Sequence, residues 1–88
     1  MTIIEVIKNK KQFLSLLLLA DEQENMIDRY LERGTMYVLN DNGVKAECVV
    51  TDECNGILEI KNIATVPEYQ GKGYAKALID FIVKEYAD

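Results

Sequence analysis

Two glycines stand just before the point where the last helix of the chain is predicted to begin. Gly71 and Gly73 follow a strand-like run and precede apolar residues at helical spacing. Because glycine has no Cβ atom, the backbone can approach a ligand closely here. The free N–H groups and the positive dipole end of a helix N-terminus favour a phosphate group, and Lys72 adds a charge beside them. A strand-to-helix connection without a ligand would show the same spacing.

Other kinds of site are excluded by what the sequence lacks. No Gly-Lys-Ser/Thr run has the spacing of a Walker loop, and Lys76 stands where the third glycine of a dinucleotide-binding loop would fall. The chain has no histidine, so Ser-His and Cys-His nucleophiles are absent. Cys48 and Cys54 are expected to be reduced, and two lone cysteines do not predict a metal site.

The residues around the glycines carry a more specific signal. The run NIATVPEYQGKGYAKAL at 62–78 resembles the signature of the GNAT acyltransferase superfamily. That signature is Gln/Arg-x-x-Gly-x-Gly/Ala after a strand and a Val-x-Pro-x-Tyr segment. Gln70, Gly73 and Ala75 fill its defined positions. The diagnostic residues lie in 59–78, and the predicted order of elements resembles the N-terminal half of that family's domain.

The resemblance implies a reaction and a co-substrate. Members transfer an acyl group, usually acetyl, from coenzyme A to a primary amine that attacks the thioester directly. Acetyl-CoA is then the co-substrate, and no metal is needed. The main chain of Ile63 and Thr65 would pair with the pantetheine arm, as an added strand pairs with a sheet edge. The loop that would bind the pyrophosphate, mainly through backbone amides, comprises Gln70, Gly71, Lys72, Gly73, Tyr74 and Ala75.

A general base is the next requirement, because an attacking ammonium must lose a proton. Glu59 lies eleven residues before Gln70. In the histone-acetylating branch of the family the catalytic glutamate has this spacing, so the resemblance makes Glu59 the candidate base. The alternative is a solvent-facing strand residue that pairs with Lys61.

Three further residues are candidates for binding the acceptor. Tyr30 and Arg33 stand where relatives line the acceptor pocket, and Asn62 could position substrate or water. Each has a structural alternative: a core tyrosine, a solvated helix end and a polar residue beside a turn. The acidic balance of the chain, formally −5, favours a cationic amine as acceptor.

The elements that must position these residues follow from periodicity. The order β-α-α-β-β-β-α predicts a single α+β domain over 1–88, a truncated GNAT-like fold with helices packed on a mostly antiparallel sheet. Asp21 and Glu24 form a capping-box pattern at the second helix. The strands are expected at 3–7, 35–39, 44–51 and 57–66, and the last helix at 73–86. Its predicted buried face consists of Ala75, Leu78, Ile79, Ile82 and Tyr86.

Charge and hydropathy indicate which partners and which compartment to expect for the protein. A net charge of −5 argues against a nucleic-acid partner. The longest apolar run, 16–20, is too short to span a bilayer, and no signal peptide is recognised at the N-terminus. The expected compartment is the cytoplasm, without a membrane partner.

The last residue in the sequence, Asp88, raises a question about the resemblance. The family's domain continues after this helix with a strand, a helix and a terminal strand pair, and it commonly takes the tyrosine that protonates the thiolate from there. We therefore expect either a fragment of a longer enzyme or a short natural protein. The strand at 57–66 would be an open edge, which predicts a homodimer or higher oligomer. The alternatives to an enzyme are an inactive CoA-binding or oligomerising module and a small acidic regulatory domain without a ligand.

Overall fold

An antiparallel sheet forms the centre of the structure, a computed structural model that describes residues 1–87. Its four strands lie in the order β1-β2-β3-β4 within the described residues. They are β1 (Thr2–Val6), β2 (Thr35–Asn40), β3 (Val44–Asp52) and β4 (Leu58–Thr65). The predicted α+β class, the order of elements and the antiparallel pairing are confirmed.

Helices cover both faces of this sheet. α1 (Leu14–Ala20) and α2 (Glu24–Asp28) pack on one face, and α3 (Tyr74–Glu85) packs on the other. A 3₁₀ turn at Lys10–Phe13 leads into α1, and a second one at Pro67–Tyr69 follows β4. None of the helices in residues 1–87 has the length and apolar character needed to cross a membrane.

Strand alternation explains why the sheet has a core on each face. Met36 and Val38 of β2 pack with α1 and α2, whereas Tyr37 and Leu39 lie under α3. Successive side chains of a strand point to opposite faces, so a strand covered on both sides reads as an unbroken apolar run. Full burial of each large apolar side chain stabilises the fold by about 1.5–3 kcal/mol.

Lys10 ties the first helical region to the end of the second. Its Nζ donates to the carbonyl oxygens of Leu31, at 2.9 Å, and Gly34, at 2.8 Å. The last carbonyls of a helical segment lack intrahelical partners, and a lysine can satisfy them. This contact fixes the segment that carries Tyr30 and Arg33.

The capping box predicted at the second helix is wrong. α2 begins at Glu24 after the N-cap Gln23, and no side chain caps it. The Asp21 carboxylate instead accepts hydrogen bonds from the Gln23 N–H, at 3.4 Å, and from the Tyr30 hydroxyl, at 3.3 Å. Glu24 forms an ion pair with Lys11 at 2.8 Å. Tertiary partners have therefore replaced the local pairing that the sequence pattern indicated.

The buried face of α3 also differs from the prediction. Leu78 and Ile82 are buried as expected, but Ile79 and Tyr86 are 41% and 42% exposed. The helix is rotated so that Tyr74, Ala77 and Phe81 complete its contact with the sheet. The Tyr86 hydroxyl lies 3.0 Å from that of Tyr37 and satisfies it at the rim of the core.

One carboxyl group lies inside the core. Glu47 of β3 is 0% exposed, and neither of its carboxyl oxygens has a hydrogen-bond partner among the described residues. It faces the α1–α2 side, because its neighbours Ala46 and Cys48 lie under α3. Burial raises the pKa of Glu47 to about 8, since removal from water penalises the charged form. Glu47 is therefore mostly protonated at neutral pH.

Candidate functional site

The glycine loop between β4 and α3, together with the first turn of α3, has the backbone geometry of an anion-binding site. We call this segment, residues 70–76, the cradle. After the 3₁₀ turn, Gly71 and Gly73 both adopt positive φ angles, 80° and 86°, which L-residues with a side chain rarely adopt. A Cβ atom added at either position would meet no atom within 4 Å, so the space in front of both glycines is open. Conformation, and not crowding by the protein, therefore requires glycine here.

The N–H groups of this loop and of the first turn of α3 are free. The first of them to bond within the helical ladder is that of Ala77, which donates to the Gly73 carbonyl at 3.0 Å. Within residues 1–87, the N–H groups of residues 71–76 have no hydrogen-bond acceptor. They border a depression of about 250 Å³ lined by Thr65, Tyr69, Gln70, Gly71, Gly73, Tyr74, Ala75 and Lys76.

Cationic side chains surround the depression, and the glycine pattern predicted only one of them. Lys45 of β3 places its Nζ 4.2 Å from the centre of the Tyr69 ring, and Lys72 lies on the same ring at 5.9 Å. Lys72 is not among the residues that line the depression, whereas Lys76, paired with Asp80 at 2.8 Å, is one of them. Lys76 could have been predicted from the sequence, because it is the third residue of α3 and therefore lies in the helix's first turn. Lys45 belongs to β3, so no pattern in the sequence near the glycine loop predicts that it lies there.

The side chain of Tyr74 anchors the start of α3. Its hydroxyl donates to Asp41 in the β2–β3 turn at 2.7 Å, and its ring packs on the core under the helix. This hydrogen bond to the carboxylate raises the pKa of Tyr74. Tyr74 therefore contributes its backbone N–H to the depression and uses its side chain to hold the helix.

The edge of β4 that does not pair with β3 lies next to the cradle and carries unpaired backbone groups. The Val66 N–H donates to the backbone carbonyl oxygen of Lys45 at 2.8 Å, which makes Val66 and Lys45 a hydrogen-bonded pair. Such pairs alternate along an antiparallel ladder, so the N–H and C=O groups of Ile63 and Thr65 point away from β3. The side-chain amide of Gln70 donates to the Thr65 carbonyl at 3.5 Å, which agrees with this direction.

Glu59 lies on β4 on the side of the sheet opposite α3. Its side chain is 52% exposed and forms an ion pair with Lys61 at 3.2 Å. The register with β3 shifts between Val49 and Val50, which face Asn62 and Ile60, so Lys61 is an extra residue in a bulge. A bulge bends the strand and redirects side chains. Glu59 is thus accessible, and the predicted pairing with Lys61 is present.

The three predicted acceptor residues do not form one surface. Asn62 is buried and donates to the Leu17 carbonyl and the Tyr30 hydroxyl, each at 3.0 Å, so it holds the core together. Tyr30 is 7% exposed, and burial raises its pKa. Tyr30 and Arg33 line a depression of about 360 Å³ together with Met26, Arg29 and Lys61.

Other features of the described residues do not add a site. A depression of about 440 Å³ beside the first 3₁₀ turn is bordered by Lys11, which is paired with Asp28 at 2.6 Å. Burial raises the pKa of Cys48 to about 12, so this buried thiol is no nucleophile. No group of three or more Cys, Asp or Glu side chains in residues 1–87 could hold a metal ion.

Comparison with known proteins decides which family has this arrangement. The model of the acetyltransferase (GNAT) domain matches residues 32–88, which include all of β3, β4 and the glycine loop. The chain belongs to the GNAT acetyltransferase family. No curated protein matches the chain.

Solved structures of acetyltransferases share the fold of this chain. An IAA acetyltransferase from Bacillus cereus superimposes with a TM-score of 0.89 at 36% identity, over 97% of this chain and 57% of its own. A GNAT acetyltransferase from Elizabethkingia anophelis with acetyl-CoA bound gives 0.87 at 29% identity, over 96% and 56%. A Bacillus subtilis acetyltransferase in complex with CoA gives 0.86 at 29% identity, over 96% and 56%. The chain therefore spans somewhat more than half the length of these relatives.

Proposed function

We propose that this chain binds acetyl-CoA for the transfer of its acetyl group to a primary amine. The observation that carries the proposal is the run of free N–H groups at residues 71–76 beside a free strand edge. Family membership and two solved relatives with acetyl-CoA or CoA bound support it.

The cradle at α3 fits a pyrophosphate. Its free N–H groups and the positive end of the helix dipole favour an anion. The backbone amides of Gln70, Gly71, Gly73, Tyr74 and Ala75 would hold the phosphate oxygens. Of these, the Gln70 N–H also contacts the Pro67 carbonyl at 3.3 Å. Lys72 would add a positive charge at the rim.

The edge of β4 fits an amide-containing arm. Ile63 and Thr65 present outward N–H and C=O groups that an extended chain of amides can pair with. The Gln70 side chain, which contacts the Thr65 carbonyl at 3.5 Å, would give way to the ligand. Acetyl-CoA supplies such an arm between its pyrophosphate and its thioester.

Glu59 is the proposed proton acceptor. The amine lone pair attacks the thioester carbonyl carbon, the C–S bond breaks, and the amine proton passes to the Glu59 carboxylate. The departing thiolate takes a proton from solvent. The Glu59 carboxylate is accessible at 52% exposure and lies 3.2 Å from the Lys61 Nζ. Tyr30 and Arg33 would border the acceptor, and Asn62 would hold Tyr30 in place.

Titration calorimetry with acetyl-CoA tests the binding part of this proposal. Valine at Gly73 would disfavour the φ of 86°, so Gly73→Val should weaken binding at least about tenfold. Gly56→Val is the matched control, because Gly56 has a φ of 75° in the open β3–β4 turn and lies away from the cradle. No binding by the folded parent chain, or equal weakening by both variants, would contradict the cradle.

An inactive CoA-binding module is the second candidate. It is favoured by the ion pair with Lys61 that already engages the Glu59 carboxylate. Turnover with a panel of primary amines separates the two, because such a module would bind acetyl-CoA without releasing CoA. We also propose the cytoplasm as compartment, in keeping with the unbridged Cys48 and Cys54.

A further inference from the structure

The depression beside Tyr30 collects an unusual share of the positive charge of the chain. Its volume is about 360 Å³, and it is lined by Met26, Arg29, Tyr30, Arg33 and Lys61. Arg29 and Arg33 are the only arginines in the sequence, whose net charge is −5. We call this depression the arginine pocket. Its size falls in the range of small-molecule sites, which begins at about 300 Å³.

The arginine pocket keeps positive charge available for an incoming group. Arg33 pairs with Glu53 at 3.3 Å and Lys61 pairs with Glu59 at 3.2 Å, but within residues 1–87 Arg29 has no ion-pair partner. Exposed pairs of this kind contribute little, because water and salt screen them. An external anion can therefore share or displace these partners at little cost.

Local structure brings the three cations together. The Gly34 N–H donates to the Tyr30 carbonyl at 2.9 Å, so the chain after α2 keeps a helical turn. Residues four apart on a helical turn lie on one face, which places Arg29 and Arg33 side by side. Across from them, the bulge in β4 brings Lys61 to the same pocket.

The arginine pocket adjoins the proposed proton acceptor. Glu59 is joined to the pocket by its 3.2 Å contact with Lys61. An acceptor molecule held in the pocket would therefore lie beside the carboxylate that takes its proton. Met26 and the ring of Tyr30 provide apolar surface for the body of that molecule.

We propose that the arginine pocket binds a carboxylate of the acceptor, so that the preferred substrates are amines that also carry an acid group. This inference rests on the proposed acetyl transfer. Arginine presents a planar fork of donors that matches a carboxylate, and charge-assisted bonds of this type are strong. The negative net charge of the whole chain favoured a cationic acceptor. The arginine pocket is instead lined by three positive side chains, which favour an acid group.

Binding can be measured without acetyl-CoA, because the two arginines give two Nε–Hε signals in a ¹⁵N NMR spectrum. The probes are L-phenylalanine and L-phenylalaninamide, which share an amine and an aromatic body and differ in the carboxylate. We expect L-phenylalanine to shift both signals in a saturable way and the amide to leave them unchanged. Equal responses to the two probes, or no response to L-phenylalanine, would overturn the proposal.

Variants of the full chain sharpen this test. Arg29→Gln should weaken L-phenylalanine binding about tenfold, as followed by the remaining arginine signal. Lys84→Gln removes an exposed charge on α3 and should leave binding unchanged. Equal affinity of the parent and Arg29→Gln would overturn the assignment of Arg29.

Turnover gives a second measurement. If the chain acetylates L-phenylalanine, Arg29→Gln should raise the KM for the amine with little change in kcat, because Arg29 is proposed to bind and not to react. A fall in kcat alone would contradict this role. A chain without acetyl-CoA binding refutes the proposed function, while the NMR titration still decides whether the arginine pocket takes a carboxylate.

Discussion

Glu47 is the residue whose chemistry differs most from its surroundings. Its pKa changes from 4.5 in the unfolded chain to about 8 in the fold. Between these values the folded chain holds more protons, so the free energy of unfolding falls as pH rises. One pKa unit corresponds to about 1.4 kcal/mol, which makes the burial cost about 3 kcal/mol at pH 7.

Replacement of this carboxyl by an amide should therefore stabilise the protein. We expect Glu47→Gln to raise the free energy of unfolding by about 3 kcal/mol at pH 7 and to flatten its decline between pH 5 and pH 8. Urea unfolding at several pH values measures both effects. Glu22→Gln, at an exposed position, is the control and should keep the parent slope. A Glu47→Gln variant that keeps the parent slope would contradict the raised pKa of Glu47.

Glu59 is tested by the rate of acetyl transfer. Glu59→Gln removes the proposed proton acceptor, so kcat should fall by about 10²-fold or more and its pH profile should flatten. Glu68→Gln serves as control, because Glu68 is an exposed carboxylate of the 3₁₀ turn beside the cradle. An unchanged rate in Glu59→Gln would remove Glu59 from the mechanism.

At the scale of single residues, the sequence predicted where the backbone needs glycine better than it predicted what the polar side chains contact. Gly71 and Gly73 have the positive φ angles that a close approach of the backbone demands. Asn62 was a candidate either for positioning substrate or water or for a polar place beside a turn, and its amide donates to the Leu17 carbonyl and the Tyr30 hydroxyl in the core. Its partners lie 45 and 32 residues away in the chain, and no local pattern reports such contacts.

At the scale of elements, the hydrogen bonds of Lys10 to the end of the second helical region are predicted to stabilise the fold, and this can be tested. Lys10→Met keeps most of the length of the side chain but leaves the Leu31 and Gly34 carbonyls without this donor. Loss of bonds from a charged group should lower the free energy of unfolding by about 2–4 kcal/mol. Urea unfolding of Lys8→Met, changed at an exposed residue, is the control. Equal stability of the two variants would contradict a structural role for Lys10.

Element order and type were predictable because alternation and turn residues are local signals. The strands, the glycine loop and α3 lie within a few residues of their expected bounds. The rotation of α3 was missed because Ile79 and Phe81 are both apolar, and only the shape of the sheet decides which one it covers. The bulge at Lys61 was missed because register depends on the partner strand.

At the scale of the whole molecule, β4 and α3 leave apolar side chains in water. Ile60 is 39% exposed, Ile79 41% and Val83 66%, and β4 is an edge strand within the described residues. An open strand edge beside apolar side chains favours association with a second chain. The expected homodimer or higher oligomer remains a prediction of the sequence that these exposed residues support.

Light scattering measures this association. The chain should give a mass of at least twice 10.0 kDa at high concentration. Val83→Glu puts a charge on the apolar side of α3 and should shift the mass toward the monomer. Lys84→Glu is the control one residue away and should not. A parent chain that stays monomeric at millimolar concentration would contradict the prediction.

The central claim is that the free N–H groups of the glycine loop and α3 bind the pyrophosphate of acetyl-CoA. The most direct measurement is a ¹⁵N NMR titration of the full chain with CoA, which reports on each backbone amide separately. We predict that the amide signals of residues 71–76 and of Ile63 and Thr65 shift most, because these groups line the cradle and the free edge. Shifts spread over the surface, or confined to residues on the α1 side of the sheet, would contradict the claim.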